Sequence, residues 1–197
     1  MRKGKPNDPE RRAKILNAAL DVIAAEGVHA ASYRRIAAQA DVPLGSTTYY
    51  FSDLETLIVS AFETLRDGLE PRYAAPLREA RTEAEIIDAL VAATCGATAP
   101  TSNEFHLYEQ MHSYGSRSVR VAELLREFQE ESLEILRCYL ADSAARAVDV
   151  LMWGWWSYSA LHAESPLDPK TVRDAYGALV AMQGTGCVPR MAVSEEA

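Results

Sequence analysis

The chain lacks any apolar run near the roughly 18 residues that a bilayer-crossing helix needs. Its opening, MRKGKPNDPE, is basic but has no apolar stretch, so it does not read as a secretory signal. Cysteine is scarce. Cys95, Cys138 and Cys187 are odd in number, far apart, and form no CxxC with paired histidines. That pattern excludes a disulfide framework and a structural zinc site, and it fits a reducing compartment. Ten glycines and nine prolines are too few for a disordered or collagen-like chain. There is no Gly-rich phosphate loop, no HExxH and no local pairing of nucleophile with base, so no catalytic residue, cofactor or metal is assigned. No stretch alternates as a strand does, and no internal repeat appears. A cytoplasmic protein is the expectation.

What is present is apolar and helical. Hydrophobic residues make up 48% of 197, enough to build a real core in one or two domains. The net charge is -8, which suits a nucleic-acid binder poorly until it is divided along the chain. Residues 1–52 hold eight Lys/Arg against five acids, whereas residues 53–197 hold twelve against twenty-three. Screening confines surface fields to about 10 Å at physiological salt, so an acidic body does not forbid a basic head from meeting phosphates.

Ile15, Leu16, Ala19, Leu20 and Ile23 recur at helical spacing and predict a helix over 11–25, with Pro9 near its start and Gly27 past its end. Ser32 offers an N-cap for a second helix carrying Tyr33, Ile36, Ala37 and Ala40 on one face. Asp41-Val42-Pro43 breaks it, because the residue before proline is pushed out of the helical region. A short third helix restarts from Pro43 and reaches about Tyr50. Ser52 is read as the cap of a fourth, marked by Leu54, Leu57, Ile58, Ala61, Phe62 and Leu65. Further helices are predicted over about 82–97, 103–114, 118–140, 142–163 and 168–183. The fold class expected is all-α: a three-helix helix-turn-helix head followed by a larger helical body.

Two short helices across a three-to-four-residue break form the unit that places its second helix in the major groove. Small residues must line the inner face of the first helix, and Ala37 and Ala40 supply them, with Val42 to plug the turn. The second helix needs small or polar side chains so that its backbone approaches the bases. Leu44, Gly45, Ser46, Thr47 and Thr48 fit that need. The hydroxyls of Tyr49 and Tyr50 suit phosphate oxygens, and Ser32 leaves a helix N-terminus free to face one. Of the two arginines, Arg34 is preferred over Arg35 for DNA contact, and Phe51 is assigned to the core.

The stretch resembles the TetR family of regulators. The resemblance rests on Ile15-Leu16 and Ala18-Ala19, on Ile36-Ala37 and Ala40-x-Val42, on Gly45 to Phe51, and on Glu55 and Leu57. It covers about residues 10–60. It implies DNA contacts at Ser32, Tyr33 and Arg34, then at Leu44, Gly45, Ser46, Thr48, Tyr49 and Tyr50. Four residues depart from the family pattern. Asp41 stands where glycine is usual at the turn, Thr47-Thr48 replace a common Leu-Tyr pair, and Leu54 replaces a lysine that often touches phosphate.

In the body, Met152-Trp153-Gly154-Trp155-Trp156-Ser157-Tyr158 stands out, with His162 one turn on. Trp155, Tyr158 and His162 share a helical face that suits a pocket for a flat or cationic ligand, but core or a subunit interface fits the Trp153–Trp156 cluster as well. Gly154 would permit close helix approach. Phe105, Tyr108, Glu109 and His112 form a second, wetter stripe and are a further candidate for ligand contact. His106, Glu109 and His112 do not exclude a metal by spacing, but such clusters are seldom ligand sets. The acidic run Glu127, Glu130, Glu131 and Glu134 alternates with apolar residues as a solvated face does.

The expected organisation is a DNA-binding domain over 1–55 with an arm over 1–8, a regulatory and dimerisation domain over 56–184, and a flexible tail over 185–197. The expected function is a homodimeric, ligand-responsive transcription regulator of the repressor kind. It would pair through its last two long helices, about 142–163 and 168–183. Its partners would be a roughly palindromic double-stranded operator and an unknown small-molecule inducer. The alternatives are a DNA-binding dimer without a ligand and, at greater distance, an all-α enzyme.

Overall fold

The computed structural model describes residues 9–181; the arm 1–8, the tail 185–197 and Cys187 lie outside the described residues. All regular structure among these residues is helical. In chain order there are α1 (Pro9–Glu26), a 3-10 turn (Val28–Ala30), α2 (Tyr33–Gln39), α3 (Leu44–Tyr50), α4 (Leu54–Glu79), α5 (Glu83–Cys95), α6 (Ser102–Gly115), α7 (Val119–Arg137), α8 (Asp142–Leu161) and α9 (Pro169–Ala181). No helix among the described residues is long and apolar enough to cross a membrane. The chain divides into two compact units. One takes residues up to 67 together with 106–125, and the other takes 68–105 with 126 onward.

In the first unit the apolar stripe of α1 turns inward, with Ile15, Ala19 and Ile23 fully buried. α1 packs on α2 and α2 on α3. The crossing is close because α2 presents Ala37, with Ala40 just past its end, and both are buried. Gly27 ends α1 at φ 82, where a side chain is strained and where an added Cβ would sit 2.9 Å from the His29 ring. Ser32 caps α2 by accepting the Arg35 N–H at 3.3 Å. Asp41 takes φ 51, as the departure from glycine requires, while the Val42 N–H closes onto the Ala37 carbonyl at 3.0 Å.

Two readings of local structure need correction. Pro43 is the residue before α3, with φ -58 and ψ 141, and not its first turn. The cap of α4 is Asp53 and not Ser52: Asp53 Oδ1 accepts the Thr56 N–H at 2.6 Å, whereas the Ser52 hydroxyl meets the side chains of Asp53 and Thr56 and no backbone N–H. The fourth helix runs beyond Leu65, the last position marked above, to Glu79 through Pro71 and Pro76. Each proline removes a backbone donor, which disfavours a helix locally. Burial of Tyr73, Ala74 and Leu77 on the same helix outweighs that loss.

The second unit has its own core, in which Leu77, Ile86, Leu90, Leu136, Val148, Val172 and Tyr176 are almost fully enclosed. α5 packs against α8 and α9, and α8 against α9. α5 begins in a capping box, with the Glu85 N–H on Thr82 Oγ1 and the Thr82 N–H on Glu85 Oε2. Inside, Thr94 donates to the Leu90 carbonyl at 2.7 Å, so its oxygen accepts from the Tyr176 hydroxyl, also at 2.7 Å. That pair satisfies two buried polar groups and ties α5 to α9.

Candidate functional site

The candidate surface of the head is the outer face of α3 with the start of α2. Leu44 is 49% and Tyr49 67% exposed, and Gly45 and Thr48 are also exposed. Ser46 and Tyr50 are half-buried. Thr47, read above as part of this polar face, instead points inward and is fully buried, donating its hydroxyl to the Leu44 carbonyl at 2.7 Å. With seven residues, α3 must anchor one side in the core, and Thr47 occupies that side. The Thr48 hydroxyl donates to the Gly45 carbonyl at 3.3 Å, which leaves its oxygen lone pairs outward. Tyr49 and Tyr50 meet edge to face at 5.1 Å, and this limits the swing of both rings.

An added Cβ at Gly45 would meet nothing within 4 Å. The fold therefore gives no steric reason for glycine there, although glycine weakens a helix by roughly 0.5–1 kcal/mol relative to alanine. Ser32 and Arg34 are exposed at the start of α2. Arg35 is ion-paired with Glu26. Tyr33 is half-buried and donates its hydroxyl to the Phe51 carbonyl at 3.1 Å. Its phenol is held above the ordinary pKa by desolvation first and by the Asp53 charge second. Phe51 is buried as expected, with the Arg12 guanidinium 5.3 Å over its ring.

Next to this face, at the start of α4, Asp53 has its carboxyl lowered to about 2. The Thr56 N–H contributes most, then the hydroxyls of Ser52 and Thr56, with Arg120 adding a weaker charge effect. Leu54, in the lysine position, is half-buried. Two links within this unit escaped sequence reading. Gln110 of α6 accepts the Val28 N–H at 3.2 Å, and Ser118 donates to Glu55 at 2.6 Å. Neither follows a periodic pattern, so no sequence signal marks them.

In the second unit an open cleft of about 240 Å³ lies among the end of α5, the start of α6, the end of α8 and the loops that follow α5 and α8. Of the residues singled out in the body, Phe105 and His162 line it. Trp155, Tyr158, Tyr108, Glu109 and His112 do not; Trp156 lines it instead of Trp155. Trp155, Tyr158 and His162 do share a face: Trp155 meets Tyr158 edge-on at 6.4 Å, and Tyr158 stacks on His162 at 4.0 Å. Tyr108 is buried, and Glu109 pairs with His106 at 3.5 Å. Thr94, Cys95, Pro100, Ser102 and Ser159 also line the cleft and were missed. They come from helix ends and loops, where no periodicity points to a shared cavity. Burial, and secondarily the Asp168 charge, pushes the Cys95 thiol up, so it stays protonated.

A capped helix, a tight turn and a short exposed helix at the N-terminus of an all-helical chain define a helix-turn-helix DNA-binding transcription regulator. The profile of the bacterial regulatory proteins of the tetR family matches residues 15–61. The HTH-type transcriptional regulator BetI of Cronobacter sakazakii (strain ATCC BAA-894) is 26% identical over 92% of this chain and 94% of its own length. The crystal structure of SCO7518 from Streptomyces coelicolor A3(2) superposes with a TM-score of 0.77 at 30% identity, covering 87% of this chain and 99% of that one. The multidrug binding protein EbrR complexed with imidazole gives 0.69 at 30% identity, over 87% and 96%. The chain belongs to the TetR family. Its members are DNA-binding transcription regulators, not enzymes, and typically act as dimers.

Proposed function

We propose that the chain is a homodimeric repressor that releases its operator when a small molecule binds the body. The functional division is a DNA-binding domain over 1–55 and a regulatory domain over 56–184. Ser32, Tyr33, Arg34, Leu44, Gly45, Ser46, Thr48, Tyr49 and Tyr50 are the proposed DNA contacts. The observation that carries this reading is Gly45, a helix glycine that the fold itself does not require and that would let a DNA backbone or base edge come close. Acting on the genome places the protein in the cytoplasm.

Pairing through α8 and α9 is supported by an outward stripe on α8. Val150 is 67%, Tyr158 41% and Leu161 80% exposed, with the unobstructed Gly154 between them. Small and apolar residues at this spacing favour close helix contact. A two-fold dimer reads a roughly palindromic site whose half-sites lie about one helical turn or a multiple apart. Ligand response is supported by the cleft and by EbrR, which has been crystallised with imidazole, malachite green, ethidium and proflavin. α4, α6 and α7 each contribute residues to both units, so these helices are the proposed carriers of the signal.

The test is fluorescence anisotropy with DNA from the chain's own promoter region, run with and without candidate ligands. Specific binding that a ligand weakens supports the proposal. A ligand at 100 times its Kd should also raise stability by about 2.7 kcal/mol. Binding no tighter than to random DNA at moderate salt would sink the DNA part of the proposal, and operator binding that no ligand alters would sink the release part.

A further inference from the structure

The nature of the ligand can be narrowed, on the reading that the body is responsive, from the wall of the cleft. None of the thirteen lining residues is Asp, Glu, Lys or Arg. Asp168, next in sequence after Leu167, spends its carboxylate on the N–H groups of Lys170 and Thr171 and on the Thr171 hydroxyl, at the start of α9. An anion entering the cleft would lose water and meet the Asp168 charge that already reaches Cys95, while a cation would find only that carboxylate, whose oxygens are already hydrogen-bonded. These surroundings favour a neutral occupant. The volume of about 240 Å³ exceeds the roughly 150 Å³ of a dry cavity that takes benzene and falls short of the roughly 300 Å³ at which drug-sized sites begin. A fused two-ring molecule fits that interval.

The wall is aromatic and held in place. The Trp156 indole N–H donates to the Ala93 carbonyl at 3.0 Å, and Phe105 rests on Trp153 with ring centres 5.3 Å apart. Two of the polar side chains are spent, Thr94 on Leu90 and Tyr176 and the Cys95 thiol on the Val91 carbonyl, and the hydroxyls of Ser102 and Ser159 also line the cleft. His162 differs. Its Nδ1 lies 2.9 Å from the Tyr158 carbonyl oxygen, which can only accept, so Nδ1 carries the proton. In the neutral ring Nε2 is then an acceptor. Stacking on Tyr158 at 4.0 Å and 11° fixes the plane of that ring.

We propose that the cleft binds a small, neutral, fused two-ring aromatic molecule that donates one N–H or O–H to Nε2 of His162. The experiment titrates the full-length protein with indole, with 1-methylindole (a methyl in place of the donor hydrogen) and with ethidium, by calorimetry. Indole should bind saturably and roughly tenfold tighter than 1-methylindole, the worth of one hydrogen bond. In His162→Ala that ratio should collapse to about one, with 1-methylindole unchanged. Ser159→Trp, which fills the cleft, should abolish binding of both. Because His162 is exposed, its variant tests the idea even where Ser159→Trp fails to fold.

Equal affinity for the two indoles, no saturable binding, or binding that survives Ser159→Trp in a folded protein overturns the proposal. So does preferential binding of ethidium in the cleft. If ethidium, and not indole, releases operator DNA, ligand response stands and this inference falls. If indole binds with the His162 signature and leaves operator affinity unchanged, the inference stands and the release reading falls.

Discussion

The hydroxyl of Tyr33 donates to the backbone carbonyl of Phe51 at 3.1 Å, joining the first residue of α2 to the C-terminal cap of α3. The bond fixes the recognition helix at its far end, opposite the turn at Asp41. Tyr33→Phe removes it and is expected to lower stability by about 1 kcal/mol in denaturant unfolding. It should also weaken operator affinity by loosening α3. An unchanged midpoint would show that the bond contributes nothing to holding the helix.

Gly45 separates fold from function. Gly45→Ala meets open space, so it should raise stability by roughly 0.5–1 kcal/mol. Operator affinity should fall at the same time, because a methyl group would enter the space proposed for DNA. A stabilised variant that binds DNA as tightly as the original would remove the main support for the α3 surface.

Arg34 and Arg35 are neighbours in different surroundings. Arg35 is committed to Glu26 and Arg34 has an exposed side chain. Arg34→Ala should weaken binding to specific and random DNA alike and reduce the salt slope by about one. Arg35→Ala should change both far less. Tyr49→Phe should also weaken binding to both DNAs but leave the salt slope unchanged, because its hydroxyl carries no charge, whereas Ser46→Ala or Thr48→Ala should shift base preference in a binding-site selection.

Asp41 holds φ 51 at the turn, a conformation that favours glycine. Asp41→Gly should raise stability by about 0.5–1 kcal/mol and leave DNA affinity in place, read by thermal unfolding and anisotropy. A loss of stability would mean that the Asp41 side chain contributes more than its backbone strain costs.

Acid should uncap α4. Asp53 has a folded-state pKa of about 2, below the usual value of about 3.9. A depressed carboxyl contributes stability above the unfolded value and loses it as pH falls through the folded one. Asp53→Ala should therefore be less stable than the original at neutral pH. The gap should close between about pH 4 and pH 2, and a gap that persists at lower pH would assign the effect to packing.

The head was legible in the sequence because its determinants are local. Ser32 caps the residues beside it, Ala37 and Ala40 set the crossing distance, and Val42-Pro43 stops one helix before the next. Asp41, standing where glycine is usual, marked the turn for the same reason. Tertiary structure decided what local rules leave open. Burial of Tyr73, Ala74 and Leu77 carried α4 through two prolines, and the short α3 spent Thr47 on the core. The cleft gathers residues from positions 94 to 167, at helix ends that no periodicity connects. Sequence alone thus determined the helices, the helix-turn-helix and the sign of its charge, since these depend on neighbours along the chain. Which faces meet, and which side chains remain free to bind, depended on contacts between residues far apart in that chain.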